Sequence, residues 1–289
     1  MSEYKGNKLR KYILDSELRI VDNNFRVRLS HSLAKNYDAG DYDDAINLYA
    51  NYIKRIKDLN IKYPGNANPI FYLYLVPDEN FIELLDYSYD TSSGGKPVLS
   101  YDLDGFNYAY GESQNLCYRI LKPTMLLEAS TIHEFAHLVH SQFFRKTMFL
   151  CEGFADTLTF YILDCEAKLI EHRNTIKNMK KSQVLSAKQL LDMEEEGTFY
   201  GGATLLPNKS CSFDLTYISS YLFVRGYIST IEEKLNLNKI EAMQRFLEIV
   251  RNSRCVSEWL IFELADALEV SRDELLYGRD MQFRVLDEL

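Results

Sequence analysis

Glycine and proline are scarce in this sequence, and basic residues are outnumbered by acidic ones. Only 13 glycines and 6 prolines occur among 289 residues, which excludes the collagen-like and low-complexity classes. The 33 Lys and Arg residues against 42 Asp and Glu residues give a formal net charge of −9. Because proteins that bind a phosphate backbone concentrate positive charge, we expect no nucleic-acid partner.

Patterns typical of disulfide frameworks and of membrane spans are also missing. The five cysteines are odd in number and scattered, with no CxxC pair, which indicates reduced thiols. No apolar run reaches membrane-spanning length, and the N-terminal residues lack the apolar stretch of a signal peptide. We therefore expect a cytoplasmic protein with no membrane partner, unless a signal peptide has been removed. The sequence leaves the oligomeric state open.

What the sequence does contain is a globular composition with two kinds of periodicity. Hydrophobic residues make up 46% of the chain, enough for a sizeable core. Helical spacing predicts amphipathic helices over residues 2–63, and FYLYLV at 71–76 and FNYAYG at 106–111 predict strands. From Pro123 onward the pattern is mostly helical. This order of elements predicts an α+β fold in which helices dominate.

We divide the chain into three segments that belong to one continuous domain. Residues 1–65 are the N-terminal helical segment, residues 66–120 are a small β-sheet region, and residues 121–289 are the helical catalytic region. The last segment has breaks near residues 196–208 and 252–257. The acidic run MEEEG at 193–197 is predicted to be a solvated helix end.

The chemistry is concentrated in HEFAH, residues 133–137, inside a segment with helical periodicity. Positions i and i+4 of a helix lie on one face, with Cβ atoms roughly 5–6 Å apart. His133 and His137 are therefore predicted to bind one Zn²⁺, and Glu134 to act as general base on a metal-activated water. The alternative is a pair of histidines on a half-buried helix face that bind backbone or carboxylate partners instead.

A catalytic zinc needs a third protein ligand, and Glu152 in MFLCEGFADTLTFY is the best candidate. Asp156 follows one helical turn later, where its carboxylate is expected to accept a hydrogen bond from a zinc-binding histidine. The alternative for this pair is ordinary acidic residues at an exposed helix N-terminus. Cys151 is a weaker ligand candidate, since adjacent side chains on a helix diverge by about 100°.

HEFAH followed by Glu152-Gly153-Phe154-Ala155-Asp156 resembles the HExxH…EGxA pattern of the gluzincin zinc metallopeptidases, in particular the peptidase MA-like family. The resemblance covers residues 121–289, including LSAKQLLD and YISSYLFVRGYI. It implies that Glu152 is the third zinc ligand. It also implies that Tyr217 hydrogen-bonds the oxyanion of the tetrahedral intermediate, although with 21 tyrosines in the chain Tyr217 could equally be a core aromatic.

The resemblance refines the expected fold to a zincin-like one, with a small sheet packed on the HExxH helix and a helical C-terminal half. The expected function is zinc-dependent hydrolysis of peptide bonds, with Zn²⁺ as cofactor and a peptide or protein as substrate. One alternative is an inactive zincin-like binding or regulatory protein. Another is a helical adaptor, against whose nucleic-acid version the net charge argues. Substrate preference and endo- or exopeptidase action are not predicted.

Overall fold

The structure is a computed structural model. It describes residues 16–20, 25–30, 70–76, 105–110, 113–119, 147–163, 178–199 and 213–289, with further helical or turn residues at 43, 46–47, 50–51, 54–55, 58–59, 133, 136 and 176. The chain divides into two compact units, residues 1–138 (unit 1) and residues 139–289 (unit 2). The predicted segment boundaries at residues 65 and 120 stay a prediction.

Unit 1 contains a five-stranded mixed sheet. Its strands are β1 (Ser16–Ile20), β2 (Phe25–Ser30), β3 (Ile70–Val76), β4 (Gly105–Tyr110) and β5 (Ser113–Arg119). They lie in the order β1-β2-β3-β5-β4, so that β1 and β4 form the two edges among the described strands. The pairs at each edge are antiparallel, whereas β2–β3 and β3–β5 are parallel. The predictions of strands at 71–76 and 106–111 are confirmed by β3 and β4.

The prediction of helices throughout residues 2–63 is wrong for β1 and β2. In β2 the residues Phe25, Val27 and Leu29 alternate with polar ones, which is the two-residue period of a strand. The described residues between 43 and 58 are helical, as predicted. There Ile46 is buried while the charged residues described around it are exposed.

The regular secondary structure described in unit 2 is entirely helical. Its α-helices are α1 (Met148–Leu163), α2 (Ala187–Glu195), α3 (Phe213–Leu235), α4 (Lys239–Asn252), α5 (Ser257–Ala267), α6 (Arg272–Tyr277) and α7 (Asp280–Glu288), with a short 3₁₀ helix at Lys181–Gln183 before α2. The predicted break near 252–257 is confirmed, since α4 ends at Asn252 and α5 begins at Ser257. Across the described ranges of both units, no helix is long and apolar enough to cross a membrane.

Helix α3 lies at the centre of unit 2, where it contacts α1, α2, α4 and α7. Its buried residues include Leu222, Phe223 and Tyr227, so it is surrounded by apolar neighbours. The Tyr227 hydroxyl donates a hydrogen bond of 2.8 Å to the carbonyl of Leu264 in α5, which satisfies its only polar group inside the core. This core holds α1 and therefore the residues predicted to act from it.

The predicted fold class, α+β and zincin-like with a small sheet packed on the HExxH helix, is contradicted. The interpretable part of the chain is mostly helical, and no strand occurs among the described residues of unit 2. The described strands contact one another, and packing of the sheet on a helix is not seen among the described elements. Only β2 pairs with β3, which is distant in the sequence, whereas β1 pairs with the adjacent β2.

Candidate metal centre

His133, the first residue of HEFAH, is a buried helical residue of unit 1, with an exposed fraction of 7%. Ala136, on the same stretch, is fully buried. A buried imidazole needs hydrogen-bond or metal partners for its ring nitrogens. Glu134 and His137 lie outside the described residues, so their positions and predicted roles stay predictions.

Glu152 and Asp156 lie on α1, and both carboxylates are buried, with exposed fractions of 5% and 4%. Because they are four residues apart on a helix, α1 places them on one face. The alternative of exposed acidic residues at a helix N-terminus is therefore wrong. Burial of a carboxylate is costly unless it is ion-paired, hydrogen-bonded or bound to metal, and this is the environment expected for a ligand and its supporting acid.

Gly153 lets α1 approach α3 closely. A Cβ atom at position 153 would lie 2.7 Å from the carbonyl carbon of Ser220 and 2.7 Å from Cγ2 of Val224, and neither distance is compatible with ordinary packing. Any side chain here would push the two helices apart. Gly153 therefore allows α1, the helix that carries Glu152, to pack against the core of unit 2.

The N-terminus of α1 is capped by a side chain from α2. Thr147 precedes the helix and is buried, yet its hydroxyl has no hydrogen-bond partner among the residues that the structure describes. Instead the backbone N–H of Phe149 donates a hydrogen bond of 2.6 Å to Oε1 of Glu194, and the N–H of Met148 also bonds this carboxylate. A carboxylate in this place satisfies free N–H groups and complements the helix dipole.

Burial raises the pKa of the Glu194 carboxyl to about 7. The two backbone N–H donors act in the opposite direction, and the charge of Glu195 adds a smaller increase. The prediction of MEEEG as a solvated helix end is therefore wrong for Glu194, although Glu195 and Glu196 are exposed. Of the three glutamates in the run, Glu194 caps α1, the helix that carries the predicted zinc ligand Glu152.

Cys151 stands beside Glu152, and its thiol forms no disulfide bond. Burial raises the pKa of this thiol well above its usual value, and the nearby carboxylates of Glu152 and Glu194 raise it further. Adjacent side chains on a helix diverge by about 100°, so Cys151 and Glu152 leave α1 in different directions.

Tyr217 lies in the second turn of α3, within unit 2, and is half-buried. Its ring centroid is 6.3 Å from that of Phe199. The side chain is thus neither fully enclosed in the core nor fully exposed, and its role at an oxyanion stays a prediction. Phe149, two residues before Cys151, is by contrast a core residue, with its ring 5.3 Å from that of Phe223 in an edge-to-face arrangement.

The predicted ligand set, two imidazoles and one carboxylate, suits Zn²⁺ by its chemistry. Among the described residues no group of three His, Cys, Asp or Glu side chains is placed to hold a metal ion. His137 is outside that description, and His133 and Glu152 are described in different units. The structure brings Glu152 and Asp156 together on α1, and it describes His133 within unit 1.

In comparisons with known proteins, no family model and no curated sequence matches this chain.

Sequence reasoning missed Glu194 as the residue that caps the N-terminus of α1. Glu194 and Phe149 are 45 residues apart, and no local pattern marks a carboxylate that caps another helix. Thr147 gave a misleading local signal. A threonine before a helix usually caps it, but here Glu194 supplies the cap.

Proposed function

We propose that this chain is a zinc-dependent peptidase of the gluzincin type, in which His133, His137 and Glu152 bind one Zn²⁺. The proposal is supported by the spacing of HEFAH on a helical segment, by the Glu152-Gly153 pair that follows it, and by the burial of His133 and Glu152. Its substrate is an extended peptide or protein.

The observation that carries the proposal is the pair of buried carboxylates on α1. Two acids on one face of a helix, each less than a tenth exposed, are costly for stability unless they have strong partners. Zinc-binding histidines usually donate their second ring N–H to a carboxylate. Glu152 as ligand and Asp156 as acceptor for such an N–H would account for both burials.

When bound, the zinc ion supplies Lewis acidity to the scissile carbonyl and to the attacking water. Glu134, the residue after His133, would remove a proton from the attacking water. The same carboxyl then passes the proton to the leaving amine. The Tyr217 hydroxyl donates a hydrogen bond to the oxyanion as it forms.

The proposed site of action is the cytoplasm. Supporting this, the thiols of Cys151 and Cys255, which are the two cysteines whose side chains the structure describes, form no disulfide bond. A reducing compartment keeps such thiols intact. The formal net charge of −9 argues against a nucleic-acid substrate.

The experiment that tests the proposal compares the zinc content of the purified chain with that of Glu152→Ala. We expect about one zinc per chain in the unchanged protein and a loss of most of it in the variant, because two histidines alone hold zinc weakly. Glu196→Ala is the matched control, since it removes an exposed acid and should keep the metal. Equal zinc content in Glu152→Ala and in the unchanged protein would refute the ligand assignment. Zinc binding without cleavage of any peptide in a mixed library would instead identify a binding protein.

A further inference from the structure

We propose that Glu194 is a positioning residue for the metal centre, because its carboxylate fixes the first turn of α1 and thereby the place of Glu152. This inference rests on the proposed zinc-binding function. It assigns a role at the metal centre to a residue outside the HEFAH and EG segments. Glu194 belongs to the run MEEEG, which the sequence alone predicts to be solvent-exposed.

The contact itself is specific. Oε1 of Glu194 accepts a hydrogen bond of 2.6 Å from the N–H of Phe149, and the N–H of Met148 bonds the same carboxylate. Thr147, which precedes α1, does not act as the cap, since its buried hydroxyl makes no hydrogen bond among the described residues. Glu152 follows Phe149 by three residues, less than one helical turn. Displacement of the first turn therefore displaces the ligand.

The helix that supplies Glu194 is itself firmly held. Ser186 and Gln189 form a reciprocal cap at the start of α2. Just before it, the N–H of Leu185 donates to Oγ of Ser219 at 3.0 Å, and the Gln282 side-chain amide donates to the Leu185 carbonyl at 2.7 Å. On its outer side, Lys188 pairs with Glu258 of α5 at 2.9 Å. Glu194 is thus fixed on a rigid element, as a positioning group requires.

Two packing contacts also hold α1 against α3. Gly153 sets the distance between α1 and α3, and the Phe149 ring packs edge to face on Phe223. The hydrogen bonds that the N–H groups of Met148 and Phe149 donate to Glu194 add a restraint at the N-terminus of α1. Such a restraint matters for a metal ligand, because zinc–oxygen bonds tolerate only small errors around roughly 2.0–2.2 Å.

The test measures zinc affinity of the full-length chain by competition with a chromophoric chelator, together with the visible spectrum of the Co²⁺-substituted protein. For Glu194→Ala we expect zinc binding about tenfold weaker or more, the usual effect of removing a group that orients a ligand, and an altered Co²⁺ spectrum. Glu194→Gln keeps an acceptor oxygen for the two N–H groups. Its zinc affinity should remain within about threefold of the unchanged protein.

Two controls separate positioning from general effects. Glu195→Ala removes the neighbouring exposed charge, and Tyr227→Phe lowers stability by deleting the 2.8 Å bond to Leu264. Both should bind zinc like the unchanged protein and keep its Co²⁺ spectrum. If Glu194→Ala does not fold, Glu194→Asp replaces it, because the shorter side chain withdraws the acceptor and should also weaken binding.

The possible failures are distinguishable. Zinc affinity equal to that of the unchanged protein in Glu194→Ala, or in Glu194→Asp where that variant replaces it, would overturn the positioning role and leave the peptidase proposal standing. Weakening of the same size in Tyr227→Phe would also overturn it, because loss of stability would then be a sufficient cause. An unchanged protein that binds no zinc would overturn the proposed function and this inference together.

Discussion

At the scale of single residues, Gly153 allows α1 and α3 to pack closely because it has no side chain. Replacement by alanine would place a methyl group against the backbone of Ser220 and the side chain of Val224. We expect Gly153→Ala to lower the free energy of unfolding by about 2 kcal/mol or more, the cost of overpacking a rigid contact. Urea denaturation followed by circular dichroism measures this change.

Gly197→Ala is the matched control for Gly153→Ala. Gly197 has a positive φ of 68° but no neighbour near the added Cβ, so its cost is backbone strain alone, about 1 kcal/mol. Equal stability of Gly153→Ala and the unchanged protein would show that α1 and α3 are less closely packed than described here.

Glu134 is the residue on which turnover depends in the proposed mechanism. Glu134→Gln keeps the size of the side chain and removes the base, so peptide hydrolysis should fall roughly a hundredfold or more while zinc remains bound. Cleavage of a fluorogenic peptide library, with zinc content measured on the same samples, checks both halves. Full activity in a zinc-loaded Glu134→Gln protein would assign the base to another residue.

At the scale of elements, the cap on α1 makes the stability of the zinc-free protein depend on pH. Burial raises the pKa of Glu194 to about 7 from a usual value of 4.5. Between these values the folded protein holds a proton that the unfolded chain releases. The free energy of unfolding should therefore fall as pH rises from 4.5 to 7, by on the order of 2 kcal/mol after allowing for partial exposure.

Glu194→Gln isolates this contribution, since glutamine does not titrate. The difference in unfolding free energy between the unchanged protein and Glu194→Gln should change across the window from pH 4.5 to 7. A constant difference between the unchanged protein and Glu194→Gln would mean that Glu194 does not titrate there.

Elements with a strong local pattern were predictable, and elements that depend on distant pairing were not. The run FYLYLV was correctly predicted as a strand, and the mostly helical pattern from Pro123 onward is confirmed by the described helices of unit 2. β1 and β2 were assigned to helices, although Phe25, Val27 and Leu29 alternate with polar residues. The partner of β2 in the sheet is β3, which is distant in the chain, whereas β1 pairs with the adjacent β2. The alternation in β2 was therefore the local signal that could have revealed this pair of strands.

At the scale of the whole molecule, the candidate site has a local part and a distant part. His133, Glu134 and His137 are local, since helical spacing alone relates them. Glu152 and Asp156 required a second segment, and their burial on α1 was not visible in the sequence. Glu194 was out of reach, because its role comes from the packing of α2 beside the start of α1.

The most direct test is a crystal structure of the zinc-loaded protein with anomalous diffraction recorded on both sides of the zinc absorption edge. We predict one strong anomalous peak per chain, roughly 2.0–2.2 Å from a ring nitrogen of His133, a ring nitrogen of His137 and a carboxylate oxygen of Glu152. No peak at these residues, or a peak from which Glu152 points away, would contradict the account.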